Sequence, residues 1–187
     1  ATQVDASRVL RADGGTLLMN TAMDSRIGNL ELANGATWTI NRGLNAWDVL
    51  LANVTTGPAT VSVANSIDNT APSTLNGLGG LHLQGVQNFD VADVTGDANE
   101  DFIVEIPLGN PGNAGGDVGG INKLGDGTLL LRGVNEYTGN TVVTAGSLVL
   151  EEFASLTFVI GDNGVNNSIS GDGTVFIDGD FDIDLSS

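Results

Sequence analysis

The sequence predicts an all-β chain wound as a right-handed parallel β-helix, a solenoid of short strands with Gly, Asn and Asp at the corners. Three observations predict it. A pattern Gly-x-apolar-x-apolar recurs as Gly15-Leu17-Met19, Gly28-Leu30-Leu32, Gly79-Leu81-Leu83, Gly127-Leu129-Leu131, Gly146-Leu148-Leu150 and Gly173-Val175-Ile177. Apolar residues at every second position over a short run describe a strand with one buried face, and the leading Gly gives a tight corner its backbone freedom. The copies are loosely periodic: their glycines lie 13, 51, 48, 19 and 27 residues apart, and the long intervals are about twice 25. Blurred copies at Ala36-Trp38-Ile40 and Ala59-Val61-Val63 fill those intervals. A loose period of roughly 20–27 residues with short strands is the pattern of a solenoid. Aromatic residues are only 5% of the chain, which suits coils that stack small aliphatic side chains inside. A β-sandwich is the alternative, but sandwiches use longer strands and more core aromatics.

In chain order, Thr2 to Leu10 reads as strand-like. Leu44 to Val54 is the one stretch with helix-like spacing, through Leu44, Trp47 and Leu51, and allows a short helix or an irregular turn. Phe89 to Val94 and Phe102 to Ile106 read as strands around a polar segment. The final run Asp178 to Leu185 alternates strictly, with Phe181, Ile183 and Leu185 on one face and Asp178, Asp180, Asp182 and Asp184 on the other. An acidic outer face on a last strand favours solubility and discourages edge pairing. With 187 residues at about 23 per coil the chain makes roughly eight coils, a rod near 40 Å long at about 4.8 Å per coil. Leu129, Leu131, Leu148, Leu150, Val175 and Ile177 are expected to be buried and stacked.

Composition removes several function classes. Against 23 acids stand 6 bases, a formal net charge of −17, and such a surface repels phosphate backbones and anionic membranes. No apolar run approaches the ~18 residues of a membrane helix. Nucleic acid and membrane insertion are therefore not expected. No basic-then-apolar leader opens the sequence. The absence of Cys removes disulfides, thiol catalysis and thiolate metal sites. Mean hydropathy of +0.12 and regularly placed Val, Leu and Ile argue for a folded chain.

Few residues could carry chemistry. His82 is the sole His, sits between Leu81 and Leu83, and so faces outward; a lone His makes no zinc site. No Ser sits in a strained nucleophile turn. Paired carboxylates in a groove could hydrolyse a polysaccharide, and this is the alternative function. A lyase would also need bases to neutralise a uronate, for which the chain has only Lys123, Arg8, Arg11, Arg26, Arg42 and Arg132. The sharpest local cluster is Asp93 to Asp101, where oxygen-bearing side chains alternate as in a calcium loop. Asp93, Asp97, Asn99 and Asp101 are its candidate Ca2+ ligands. It lacks the loop's Gly at the sixth position, which is Ala98, and its Glu at the twelfth, which is Val104. A polar turn is the simpler reading. No cofactor is required; Ca2+ is optional.

Gly119 to Leu150 closely resembles the autotransporter-associated β-strand repeat. The residues that match are Gly119, Gly120, Lys123, Gly125, Gly127, Thr128, Leu129, Leu131, Gly133, Asn135, Tyr137, Thr138, Gly139, Thr141, Val143, Gly146, Leu148 and Leu150. Ile121, Glu136 and Ser147 depart from it. The resemblance implies a passenger-type β-helix in a secreted or surface-displayed bacterial protein, with the repeat as scaffold and no catalytic residues. Tyr137 would cap a coil, its ring packed and its hydroxyl free for water or backbone. The expected organisation is one solenoid domain over 1–187, with the autotransporter-type repeat at 119–150 and terminal acidic strands at 151–187. The expected function is a non-enzymatic structural or adhesive module, acting as scaffold, spacer or filament subunit. Its expected partners are further repeats of a parent chain or copies of itself, and a carbohydrate or host surface.

Overall fold

The computed structural model describes residues 2–3, 8–20, 25–41, 49–52, 57–64, 70–111, 118–160 and 166–185. Short runs of alternating apolar residues, each ended by a corner, can bury one face only by lying beside another such run. The chain solves this by coiling. The first coil is β1 (Thr2–Gln3), β2 (Val9–Asp13) and β3 (Thr16–Met19); the second is β4 (Ser25–Ile27), β5 (Asn29–Ala33) and β6 (Thr37–Ile40). The third is β7 (Val49–Leu51), β8 (Thr60–Val63) and β9 (Ser73–Gly77); the fourth is β10 (Leu81–Leu83), β11 (Val86–Val91) and β12 (Phe102–Val104). The fifth is β13 (Leu108–Gly109), β14 (Gly120–Leu124) and β15 (Thr128–Leu131), and the sixth is β16 (Val134–Asn135), β17 (Thr141–Val143) and β18 (Ser147–Leu150). The seventh is β19 (Ser155–Val159), β20 (Ile169–Ser170) and β21 (Thr174–Ile177), and β22 (Asp180–Asp184) begins an eighth.

Corresponding strands of successive coils pair in parallel, building three faces. The second face runs β2-β5-β8-β11-β14-β17-β20 and the third runs from β3 to β21 through every third strand. The first face is two sheets, β1-β4-β7-β10-β13 and β16-β19-β22. This is a parallel β-helix. An antiparallel sandwich is excluded by the pairing, and no helix occurs among the described residues. Of the segment read as a short helix, residues 44–48 and 53–54 lie outside the described residues, and Val49–Leu51 is a strand.

Register creates the core. On the third face Leu17, Trp38, Leu75, Val104, Leu131, Leu150 and Ile177 form one inward column. On the second face Leu10, Leu30, Val61, Phe89, Lys123 and Val143 form another. Phe89 stacks on Phe102 inside, with ring centroids 6.4 Å apart. The third-face column advances by 19 residues from Leu131 to Leu150 but by 37 from Trp38 to Leu75, because corners differ in length. The 13-residue interval from Gly15 to Gly28 is not a coil: Leu17 stands on the third face and Leu30 on the second.

Leu129, Leu131, Leu148 and Leu150 are buried as expected. Val175 and Ile177 are a correction: Val175 is half-buried and Ile177 is 43% exposed. β21 ends its sheet, so among the described residues no further strand lies over these inward side chains.

Candidate functional site: buried polar clamps between coils

An all-apolar interior would let stacked coils slip, whereas a buried polar group must find its partner. Four such side chains each bond a neighbouring coil. Gln87, almost fully buried on β11, accepts the Ala59 N–H of the third coil at 2.6 Å. Asp101 is fully buried where the fourth coil turns into β12. Its Oδ1 accepts from the Val94 and Thr95 N–H groups at 2.8 Å each and from Thr95 Oγ1 at 3.0 Å. Its Oδ2 accepts the Thr128 N–H of the fifth coil at 2.7 Å. Asn135, also fully buried, accepts the Leu108 N–H of the fifth coil at 3.2 Å and donates to Ser155 O of the seventh at 3.0 Å. It lies where the first face divides into two sheets, and its amide joins the Glu136 N–H to Leu108 O backbone bond, 2.8 Å, in linking the coils there.

Lys123 is the fourth. It stands between Phe89 and Val143 in the second-face inward column and is fully buried. Its Nζ donates to Leu124 O at 2.9 Å, Gly125 O at 2.8 Å and, across to the sixth coil, Ala145 O at 3.1 Å. Burial lowers its pKa to about 8, against the pull of Asp90, Asp101 and Asp126. The ammonium remains the form at neutral pH. By type Lys123 is one of the few bases that could meet a substrate; the structure places it inside. The signal was present, because Ile121 and Lys123 share the parity of one strand face.

Tyr137 is buried and its hydroxyl meets Thr141 Oγ1 at 2.7 Å, so it reaches a side chain rather than water or backbone. Burial pushes its pKa up.

The candidate calcium residues part into two groups. Asp101 is engaged as described above. Asp93 accepts the Gly96 N–H at 2.7 Å, and Asp97 accepts from Asn99 N and Nδ2 at 2.8 and 2.7 Å. These are turn-forming bonds of side chain to nearby backbone. Among the described residues no group of three or more His, Asp or Glu is placed to hold a metal ion. His82 is half-buried on β10 between the buried Leu81 and Leu83, hence outward. Arg132 links outward acids of flanking coils, at 3.3 Å to Glu105 and 2.8 Å to Glu151. A cavity of about 300 Å³ lies between Val118, Thr138, Gly139, Asn140, Val159, Asn166 and Asn167, with no charged side chain in its lining.

Comparison with known proteins places the match on these coils. The family described as Passenger-associated-transport-repeat matches residues 121–150. The chain is also similar to the Adhesin BmaC autotransporter of Brucella suis biovar 1 (strain 1330), 70% identical over 27 residues. That match covers 14% of this chain and 1% of the adhesin. No solved structure matches the chain. With Lys123, Asn135 and the Leu129 to Leu150 core all inside the matched segment, the chain carries an autotransporter-type passenger-associated transport repeat, built into the fifth and sixth coils of its β-helix.

Proposed function

We propose that this chain is a non-enzymatic structural and adhesive β-helix module of a secreted or cell-surface bacterial protein. The passenger repeat at residues 121–150 carries the reading, and the resemblance to an adhesin segment supports it. The interior agrees with a scaffold: the polar groups it holds bond coil to coil. As scaffold or spacer the module continues through parallel stacking, because an uncovered coil is a template for a further one. Inward residues Ile177, Phe181 and Ile183, exposed by 43, 45 and 55%, are apolar surface that another coil would cover. That coil belongs either to the parent chain or to a second copy, in which case copies grow into a filament. The uncharged, amide-lined cavity makes a neutral glycan the first carbohydrate to try.

Beads coated with the purified chain, applied to host-cell monolayers and a glycan array, test adhesion. Retention competed by soluble chain supports it. Absence of retention overturns the adhesive part, and cleavage of a polysaccharide overturns the non-enzymatic part. Light scattering across a salt series tests stacking. Screening the −17 charge should promote assembly, and a monomer at every salt concentration overturns self-association.

A further inference from the structure

At the corner between the second and third faces the backbones of successive coils lie in contact. A Cβ added to Gly125, whose φ is +74°, would fall 2.4 Å from Val91 O of the fourth coil. One added to Gly146, at φ +64°, would fall 2.3 Å from Gly127 O and 2.6 Å from Gly125 O of the fifth. Such close stacking turns carbonyls of two coils toward one interior point. Leu124 O, Gly125 O and Ala145 O converge there on the Lys123 Nζ at 2.8–3.1 Å. An ammonium has three N–H donors and no acceptor, so the three bonds account for all of its donors. Three carbonyl dipoles without a cation would be a buried acceptor cluster lacking donors, which is costly.

We propose that this corner is a carbonyl cage for a monovalent cation, and that the Lys123 Nζ is its tethered occupant. The distances exclude Ca2+ and Mg2+, which draw oxygens to about 2.0–2.6 Å; they are those of N–H···O bonds, and the three acceptors match the three donors of an ammonium. A primary alkylammonium, which carries the same three donors, is the free ligand that replaces the side chain when it is shortened. The cage binds the fifth coil to the sixth, and its cation is part of the fold. The inference rests on the corner's geometry and holds whatever the module binds outside.

Removal and rescue test it. Lys123→Ala opens the channel that the side chain fills, while Lys123→Met keeps it filled and uncharged. Both variants should melt below the wild type. Ethylammonium chloride should raise the melting temperature of Lys123→Ala in step with ln(1 + L/Kd), where L is its free concentration, by roughly 3–6 °C at tenfold excess over its Kd. Sodium chloride at the same ionic strength should not, and the wild type and Lys123→Met should respond equally to both salts. Equal responses to both salts in Lys123→Ala, or an equal ethylammonium effect in the wild type, overturn the proposal. A second measurement needs no variant. Lys123 is the only Lys in the chain, so 15N-lysine labelling yields a single Nζ signal. At neutral pH its protons should exchange slowly enough to be seen. A signal lost to rapid solvent exchange overturns the cage.

Discussion

Leu131, Leu150 and Ile177 stand in one inward column of the third face and follow the same Gly-x-apolar-x-apolar pattern, yet they are 0, 1 and 43% exposed. The first face repeats the contrast: Leu156 is 3% exposed while its register partner Phe181 is 45% exposed. The local sequence is alike; the neighbours are not. Each coil of a solenoid is buried by the two that flank it. A residue of the fifth or sixth coil has both, and one on β21 or β22 has a named strand on one side only. The two regions also differ in polar interior. The middle coils hold Gln87, Asp101, Lys123 and Asn135 in fully formed bonds. At the last strands the Phe158–Phe181 edge contact, at 4.9 Å between centroids, is an apolar one. Register in the middle is therefore set by directional bonds as well as by burial.

Truncation is the strongest way to break this comparison. Leu131→Ala should destabilise the chain by about 2–5 kcal/mol, a buried large-to-small change with cavity, and Ile177→Ala by less than about 1 kcal/mol, by scaling with area removed from water. Equal shifts in urea denaturation midpoints would show that the last coil is covered in solution. Next in size is the carboxylate clamp. Asp101→Ala leaves buried N–H groups of Val94, Thr95 and Thr128 without their acceptor, at about 2–4 kcal/mol. Asp97→Ala, at an exposed turn, should change stability by less than about 0.5 kcal/mol. Melting each variant with calcium and with chelator also tests the metal reading: an effect of calcium that Asp97→Ala abolishes would favour a bound ion over the turn.

A pH titration sharpens the contrast between clamped and unclamped coils. Folding lowers the Lys123 pKa from 10.5 to about 8. Between those values the unfolded chain holds more protons than the folded one, so stability should rise with pH from about 8 to about 10. Folding raises the pKa of Tyr137, the only Tyr. Above about 10 the unfolded chain loses that proton first, and stability should then fall. Lys123→Met should remove the rise and keep the fall, as followed by urea midpoints across pH 7–11. A small effect is also expected of Arg132→Ala: its partners Glu105 and Glu151 are exposed, and surface pairs contribute roughly 0–1 kcal/mol. A larger loss would mean that outer ion pairs, and not the interior, hold these coils together.

By itself the sequence determined the strand class and the inward parity of the core strands, because period-2 apolarity is a local matter. Of the glycines that lead the pattern Gly15 and Gly146 take positive φ, whereas at Gly79, Gly127 and Gly173 it is the close approach of the neighbouring coil that leaves no room for a Cβ. The sequence also contained the passenger repeat, whose spacing of 19 residues between Leu131 and Leu150 is a true coil. Tertiary structure alone decided which copies of the pattern lie over one another. Corners of unequal length separate Trp38 from Leu75 by 37 residues and assign Gly15 and Gly28 to different faces, and the burial that rewards register is a contact between coils. It also decided the roles of the polar residues. Lys123, Asp101 and Asn135 read as surface residues by type, and only the next coil supplies the Ala145 carbonyl, the Thr128 N–H and the Ser155 carbonyl that make them interior. A hydrogen bond needs its partner in place, and here that partner stands some 20 residues away along the chain but one strand away in space.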